Sequence, residues 1–317
     1  MIIGLDTTPL AQLAGGLPPR GGIARYTERL RDALRREFPG DTVMELTDQG
    51  AALGLFRRRW WSIGLPLALR QRGAHVFHGP DFSVPYLPVC PSVVTVHDTS
   101  PWRTEYQAAT SPRVRRRTPW LVSLGMAALV VTPTEAVRRE VLERFRLHES
   151  RVRVTPLGVS VQPTGEAKED FALIVGSGLR KNIERAREAA EGLAPLRVVN
   201  HDVSDHELAS LYTRARVLLL PSHYEGFGLP AIEAMACGTP VIASTDAALR
   251  EVCGGAALHV DARDAPGWRE ALTAVWRQPD RARAMAEAGL RRAATFTWER
   301  TARDTHAVYE EAVRLYA

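Results

Sequence analysis

The sequence is poor in cysteine and in long apolar runs. Its three cysteines, Cys90, Cys237 and Cys253, are odd in number and widely spaced, which excludes a regular disulfide framework or zinc-site spacing. No apolar stretch approaches the roughly 18 residues of a membrane span, and no basic segment opens the chain. We therefore expect a cytoplasmic protein with reduced thiols, whose contact with any membrane is peripheral.

Basic residues are concentrated in the first half of the chain. Residues 1–163 hold 22 Lys and Arg against 14 Asp and Glu, whereas residues 164–317 hold 19 against 22. Arginine-rich runs at 57–59 and 113–117 lie beside tryptophans, a composition that suits an anionic membrane surface. An ordinary solvated face is the alternative. Because no nucleic-acid recognition motif accompanies the charge, we expect no nucleic-acid partner.

Short β-branched runs alternate with amphipathic helical stretches, which is the pattern of parallel sheets covered by helices. We predict two series of strands on either side of the linker PLGVSVQPTGEAKED: first MIIGLD, AHVFHG, SVVTVHD, ALVVT and RVRVT, then FALIVG, LRVVN, VLLLP, PVIAS and ALHV. This pattern predicts two consecutive doubly wound α/β domains. Ligands are expected at the carboxyl ends of the strands and in the cleft between domains.

The segment HYEGFGLPAIEAMACGTP, residues 223–240, has the composition of an anion site at a helix N-terminus. Gly226 and Gly228 allow close backbone approach, and the proline that follows suits the first helical position. Because carboxylates repel phosphate, we expect Glu225 to face the hydroxyls of a transferred sugar and Glu233 those of a ribose. The alternative is that Glu233 only complements the helix dipole and the glycines only make a tight turn.

This segment resembles glycosyltransferase family 4, whose members carry two glutamates separated by seven residues in an EGFGLPxxEAMAxGxPV context. Further similar segments are GGIARYTERL, VHD, VTPTEAVRREV, RVRVTPLGV, VGSGLRKN and FTWERTARDTHAVYEEAV. The resemblance implies a GT-B fold, two Rossmann-like doubly wound domains facing each other across a cleft. It implies an acceptor domain at 1–163, a nucleotide-sugar donor domain at 164–298, and a final helix at 299–317 that packs back on the first domain.

Arg180 and Lys181 follow a predicted strand and a Gly-rich turn, where fixed cations can stabilise a leaving nucleoside diphosphate. Only two of the 41 cationic residues are lysines, Lys168 and Lys181, so a lysine here departs from the composition of the chain. The resemblance likewise places an Arg and a Lys at the pyrophosphate. The predicted donor-binding residues are Gly22, Gly226, Phe227, Gly228, Leu229 and Glu233.

His97 and Asp98 lie just past a predicted buried strand. An imidazole there can hydrogen-bond a sugar, and the resemblance places this histidine against the donor sugar, although a lone His after a strand is usually structural. Asp98 either orients the His or caps the next segment. Gly21 and Gly22 precede an amphipathic helix and can offer backbone N–H groups to a phosphate. Arg25, Asp81 and Asp98 are the candidate acceptor contacts, with turn capping as the alternative for Asp81.

We predict a retaining hexosyltransferase that uses a nucleotide-diphosphate sugar and a glycan or lipid-linked acceptor, with His97, Arg180, Lys181 and Glu225 as its catalytic group. No Asp-x-Asp pair lies at a strand end, so we expect neither metal nor cofactor. HGPDF and VVTVHD look like segments of bacterial mannosyltransferases, which favours GDP-mannose; UDP-glucose and UDP-GlcNAc are alternatives. A same-face mechanism is favoured over a covalent one through Glu225. A GT-B epimerase or hydrolase, or a non-catalytic binding protein, is the remaining alternative.

Overall fold

The computed structural model describes residues 1–10, 21–48, 59–109, 112–199 and 203–316. The chain divides into two compact units. The first consists of Met1–Leu157 together with Trp298–Ala317, and the second of Gly158–Thr297.

The first unit is built on a parallel sheet with the strand order β2-β1-β3-β4-β5-β6. Its strands are β1 (Ile2–Asp6), β2 (Thr42–Leu46), β3 (Val76–Gly79), β4 (Ser92–Thr95), β5 (Leu129–Thr132) and β6 (Val152–Val154). Every residue of β3, β4 and β5 is buried, as expected for parallel strands covered on both faces. The sequence predicted all of these strands except β2. That edge strand exposes Thr42 and Glu45, which interrupt its apolar pattern.

The α-helices described in this part of the chain are α1 (Gly22–Glu37), α2 (Leu65–Gln71), α3 (Pro112–Ser123) and α4 (Glu135–Phe145). Helix α1 buries Tyr26, Leu30 and Leu34, spaced by four residues along one face. Helix α4 begins where the Thr134 side chain accepts a hydrogen bond from the Val137 N–H.

The second unit is built on a parallel sheet with the order β11-β10-β9-β7-β8. Its strands are β7 (Ala172–Val175), β8 (Leu196–Val199), β9 (Val217–Leu220), β10 (Val241–Ser244) and β11 (Ala257–Val260), and the sequence predicted all five. The helices are α5 (Ile183–Ala190), α6 (Asp205–Arg214), α7 (Leu229–Ala236), α8 (Ala247–Cys253), α9 (Ala265–Arg277) and α10 (Pro279–Ala293). Strands β9 and β10 are wholly buried at the centre of this unit.

The last helix, α11 (Trp298–Tyr316), belongs to the first unit and packs against α1. Its buried face includes Ala302, Val308 and Tyr309. The Thr301 hydroxyl donates to the Pro156 carbonyl oxygen at 2.7 Å, which ties the start of the helix to the first unit.

Candidate functional site

In each sheet, one pair of neighbouring strands marks the point where the strand order reverses, and open α/β sheets bind ligands beside such a point. In the second unit these strands are β7 and β9. The loop after β7 carries Arg180 and Lys181, and the loop after β9 carries Glu225. The predicted cations and the first predicted glutamate therefore flank one switch point.

The loop after β7 is shaped to hold the Lys181 side chain. Gly176 has a φ of +122°, and a Cβ atom there would lie 2.7 Å from Lys181 Cε, so glycine makes room for the lysine stem. Asn182 adopts the left-handed conformation, with φ of 52°. Its side-chain amide donates to the carbonyl oxygens of Pro221 at 3.2 Å and Ala262 at 3.0 Å. Asn182 thereby ties this loop to the segments that follow β9 and β11.

Lys181 and Glu225 form a buried ion pair, with 2.5 Å between Nζ and Oε1. The Ser222 hydroxyl donates to the same carboxylate oxygen at 2.7 Å. Burial alone would raise the pKa of Glu225, but the Lys181 ammonium, the Arg180 charge and these hydrogen bonds hold the pKa below its ordinary value. Glu225 is therefore a carboxylate at neutral pH, and its Oε1 already accepts two hydrogen bonds.

Arg180 is half-buried next to this pair. Its carbonyl oxygen accepts a hydrogen bond from the His223 N–H at 2.8 Å, which joins the loop after β7 to the loop after β9. The structure thus brings Arg180, Lys181 and Glu225 together, and their assignment to a pyrophosphate and a sugar stays a prediction.

The glycine-rich turn at residues 226–228 leads into α7. Gly228 has a φ of +89°, and a Cβ atom at this position would lie 2.3 Å from Leu249 Cδ2, so both the backbone and the packing require glycine. The Phe227 ring is buried edge-to-face against Phe296, with 5.6 Å between centroids. Leu229 is the first residue of α7 and is half-buried.

Glu233 lies within α7 and is 3% exposed. Its Oε2 accepts a hydrogen bond from the Tyr212 hydroxyl at 2.9 Å. A contact from α6 to the second glutamate was not predicted, because nothing in the local sequence around Tyr212 distinguishes it from an ordinary core tyrosine.

Asp246 is a further acidic group that the sequence reasoning missed. It caps α8, accepting hydrogen bonds from the N–H groups of Ala248 at 3.0 Å and Leu249 at 3.2 Å. Burial raises its pKa to about 6, and the nearby Glu225 charge acts in the same direction. A cap signal (Asp before an apolar helix) was readable from the sequence, but its closeness to Glu225 was not.

In the first unit, His97 follows β4 and is held in one tautomer. Its Nε2–H donates to the Pro80 carbonyl oxygen at 2.7 Å, because a carbonyl can only accept. The Tyr26 ring meets the imidazole edge-on at 4.7 Å between centroids. Burial lowers the pKa of His97, partly offset by the Pro80 bond and the charges of Asp81 and Asp98. The neutral ring therefore has Nδ1 as a hydrogen-bond acceptor.

Asp98 lies two residues before the first residue of the short helix Ser100–Trp102. Its Oδ1 accepts from the Ser100 N–H at 2.8 Å and from the Ser100 hydroxyl at 2.5 Å. Asp98 thus bonds the start of the next segment, and its charge also acts on His97, so both roles considered from the sequence stay open.

The remaining candidates of the first unit lie near its own switch point, between β1 and β3. Asp81 follows β3 and is half-buried, and its charge reaches both His97 and the buried Asp6 at the end of β1. Gly22 is exposed as the first residue of α1, and a Cβ atom there would meet no atom within 4 Å. Arg25 lies in the first turn of the same helix. Contact between Tyr26 and His97 joins this helix start to the histidine.

The described residues contain neither a grouped set of metal-ligating side chains nor a helix able to span a membrane. Across these ranges no three or more His, Cys, Asp or Glu side chains are grouped to hold a metal ion. In the same part of the chain, no helix combines the length and the apolar character needed to cross a bilayer.

Two family descriptions match nearly the whole sequence. Residues 20–162 match Glycosyltransferase Family 4, and residues 166–292 match Glycosyl transferases group 1. The O-antigen chain mannosyltransferase B of Escherichia coli is 30% identical over 312 residues, covering 80% of this chain and 77% of that protein. The MMP alpha-(1->4)-mannosyltransferase of Mycolicibacterium hassiacum is 30% identical over 273 residues, covering 70% of this chain and 66% of that protein.

Solved structures resemble this chain over almost its full length. Sucrose-phosphate synthase from Thermosynechococcus elongatus has a TM-score of 0.73 at 21% identity, with 98% of each chain covered. Anabaena HepE in complex with UDP and glucose has a TM-score of 0.69 at 14% identity, covering 98% of this chain and all of that one. WaaG, a glycosyltransferase involved in lipopolysaccharide biosynthesis, has a TM-score of 0.63 at 15% identity, with 99% of each covered. The likeness confirms the predicted GT-B fold.

Proposed function

We infer the function from one premise: this chain belongs to glycosyltransferase family 4. It is a glycosyltransferase, and we propose that it transfers a hexosyl group, with retention and without metal, from a nucleotide-diphosphate sugar to a glycan or lipid-linked acceptor. The observation that supports this most strongly is the buried Lys181–Glu225 pair beside Arg180 at the β7/β9 switch point.

In the proposed donor site, Arg180 and Lys181 bind the pyrophosphate and stabilise the charge that it gains as it leaves. A lysine ammonium has three N–H donors, so Lys181 can hold Glu225 and still donate to a phosphate oxygen. Gly226, Gly228 and the N-terminus of α7 offer backbone N–H groups to the same phosphates. Glu225 accepts from hydroxyls of the transferred sugar, and Glu233 from those of the ribose.

A same-face mechanism fits the site better than a covalent one. The Glu225 carboxylate already accepts from Lys181 and Ser222 and has a lowered pKa, which makes it a weak nucleophile. We propose that the departing phosphate takes the acceptor proton. The neutral His97 ring is fixed by its bond to the Pro80 carbonyl oxygen, and we propose that its Nδ1 accepts a hydrogen bond from a sugar hydroxyl. Arg25, Asp81 and Asp98 are proposed acceptor contacts from the first unit.

The proposed donor is GDP-mannose. Two relatives at 30% identity are named as mannosyltransferases, one of them acting on an O-antigen chain. A UDP-sugar is the alternative, because a solved structure with the same fold binds UDP and glucose.

We also propose peripheral contact with anionic membrane. Helix α3 exposes Arg116, Arg117 and Trp120, and Leu124 follows it on the surface; Trp120 is 62% exposed. Cations beside exposed apolar side chains suit a surface of anionic lipid. The other basic run, residues 57–59, lies partly outside the described residues.

The test is a thermal-shift panel of GDP, UDP, GDP-mannose, UDP-glucose and UDP-GlcNAc. A ligand at 100 times its Kd stabilises the protein by about 2.7 kcal/mol, which such a panel resolves. We expect GDP and GDP-mannose to stabilise, and nucleotide release from GDP-mannose to require an added acceptor. Release without acceptor would instead identify a hydrolase. Stabilisation by none of the five ligands would contradict the proposal.

A further inference from the structure

Tyr212 is a fully buried tyrosine whose hydroxyl donates a hydrogen bond to a carboxylate. It lies in α6, is 0% exposed, and donates to Glu233 Oε2 at 2.9 Å. A buried carboxylate is costly unless it is hydrogen-bonded, and a bond from a hydroxyl to a charged oxygen is among the stronger ones in proteins. The Tyr212 hydroxyl therefore fixes where one oxygen of Glu233 lies.

The main chain of Tyr212 is also hydrogen-bonded. The Thr239 hydroxyl donates to the Tyr212 carbonyl oxygen at 2.5 Å. Lys168 Nζ donates in turn to the Thr239 oxygen at 2.5 Å and to the Ala215 carbonyl oxygen at 2.9 Å, although much of the Lys168 side chain is exposed. Because Tyr212 lies in the last turn of α6 and Thr239 follows α7, these bonds tie the ends of both helices together.

The two lysines of the chain thus each support one of the two motif glutamates. Lys181 bonds Glu225 directly, whereas Lys168 reaches Glu233 through Thr239 and Tyr212. Lys181 belongs to the donor site, but the proposed function leaves Lys168, Thr239 and Tyr212 without a role.

We propose that Tyr212 is a positioning residue that orients Glu233 for the ribose hydroxyls, and that Thr239 and Lys168 hold Tyr212 in place. The proposal rests on the function proposed above, in which Glu233 binds the ribose. Tyr212 does not need to touch the nucleotide. Its effect is on discrimination between a ribose and a deoxyribose, which depends on the direction of the Glu233 carboxylate and not on the pyrophosphate contacts.

The experiment compares nucleotide binding by calorimetry in the full-length protein. The probes are GDP and UDP, and the 2′-deoxy and 3′-deoxy forms of whichever binds more tightly. We expect the wild-type protein to prefer the ribonucleotide. Tyr212→Phe should lower ribonucleotide affinity about tenfold or more and should change the affinity for at least one deoxy form only a little. The ratio of ribonucleotide to deoxynucleotide affinity should therefore fall toward unity. Glu233→Gln should do the same, and the double variant should add no further loss.

Two controls separate positioning from general stability. Tyr309→Phe removes another buried hydroxyl bond, the 2.6 Å contact to His78 in the first unit, and should keep the ribose preference. Thr239→Val should weaken the preference and Thr239→Ser should retain it, and this pair carries the test if Tyr212→Phe does not fold.

The outcomes distinguish this inference from its premise. If Glu233→Gln loses the ribose preference while Tyr212→Phe keeps it, Tyr212 has no positioning role and the proposed function stands. If Glu233→Gln keeps the preference, or if neither GDP nor UDP binds the wild-type protein, the proposed donor site fails and the inference fails with it.

Discussion

Lys181 and Glu225 are both buried, and the charge of each compensates the charge of the other. Removing one partner of a buried ion pair leaves an uncompensated charge and costs about 3–5 kcal/mol. Truncation of Glu225 to Ala would therefore mix a loss of function with a loss of stability. Gln keeps the size of the side chain and its ability to accept from Ser222 and Lys181, and it is the better replacement.

Substitutions of the two motif glutamates should affect different binding steps. Glu225→Gln should lower kcat/KM by about 10- to 150-fold, the range for a lost hydrogen bond to a charged group, while nucleoside diphosphate affinity stays equal or rises because Lys181 loses a competing carboxylate. Glu233→Gln should weaken the nucleoside diphosphate and the full donor alike. Calorimetry and steady-state kinetics measure both effects. Equal weakening of the nucleoside diphosphate by both substitutions would overturn the assignment of roles.

Asp6 should make stability depend on pH. It is 2% exposed, its Oδ1 accepts from the Thr8 N–H at 3.0 Å, and Oδ2 has no hydrogen-bond partner within the described ranges. Burial raises the pKa of Asp6 to about 6, and the charges of Asp81 and Asp48 act in the same direction. The folded state therefore holds the proton more tightly than the unfolded state between about pH 4 and 6, so the free energy of unfolding falls as pH rises through this window.

Asp6→Asn removes this titration and keeps the acceptor for Thr8. Relative to wild type, the variant should be more stable by up to ~3 kcal/mol at pH 8 and about equal near pH 4, as measured by urea unfolding. Asp280→Asn, at an aspartate exposed on the second unit, is the matched control and should change little at either pH. An Asp6→Asn difference that is the same at pH 4 and pH 8 would show that Asp6 does not titrate in this window.

Candidate site residues could be predicted from the sequence where they belong to a recognisable motif. Glu225, Lys181 and Gly228 came from local sequence and the family resemblance, and the structure places the first two in contact. Asn182, Ser222 and Tyr212 were not predicted, because their partners lie in other elements and a single sequence does not record such proximity.

At the scale of elements, buried strands were the easiest to predict. Strands β9 and β10 are continuous apolar runs because helices cover both of their faces, and such runs stand out in a sequence. Strand β2 carries a partly exposed edge pattern and was missed. Glycine and proline predicted the starts of α1 and α7 to within one residue, because their positions reflect backbone geometry; α7 begins at Leu229, one residue before the proline expected at its first position.

The glycines before α7 and α1 should respond differently to alanine. Gly228→Ala should lower the free energy of unfolding by about 1–3 kcal/mol, because φ is +89° and the new methyl group would meet Leu249. Gly22→Ala meets no neighbour and should leave stability unchanged or raise it by up to ~1 kcal/mol. If the start of α1 approaches the donor, Gly22→Ala should still lower kcat/KM about tenfold or more. Normal activity in Gly22→Ala would remove Gly22 from the donor site.

At the scale of the whole molecule, our proposal is that charges of the chain itself, and not a metal ion, stabilise the leaving group. The sequence has no Asp-x-Asp pair at a strand end, so we propose this role for Arg180, Lys181 and the N-terminus of α7. Turnover should therefore survive saturating EDTA, whereas Arg180→Gln, which keeps the buried Lys181–Glu225 pair, should lower kcat by about 100-fold or more whether or not Mg²⁺ is added. Loss of turnover on chelation, restored by Mg²⁺ or Mn²⁺, would contradict this prediction.

The uneven charge of the chain should direct it to anionic membrane. We expect co-sedimentation with phosphatidylglycerol vesicles at low salt, little with neutral phosphatidylcholine vesicles, and loss of binding near 0.5 M salt, where the Debye length is only about 4 Å. Arg116→Glu reverses one exposed charge beside Trp120, a change of two charges worth about 2 kcal/mol near an anionic surface, or about 30-fold in affinity. Arg281→Glu makes the same charge change on the exposed surface of α10 in the second unit, so it should weaken binding much less. If wild-type protein is recovered equally with both kinds of vesicle at low salt, or if Arg281→Glu weakens binding as much as Arg116→Glu, the exposed face of α3 does not bind membrane.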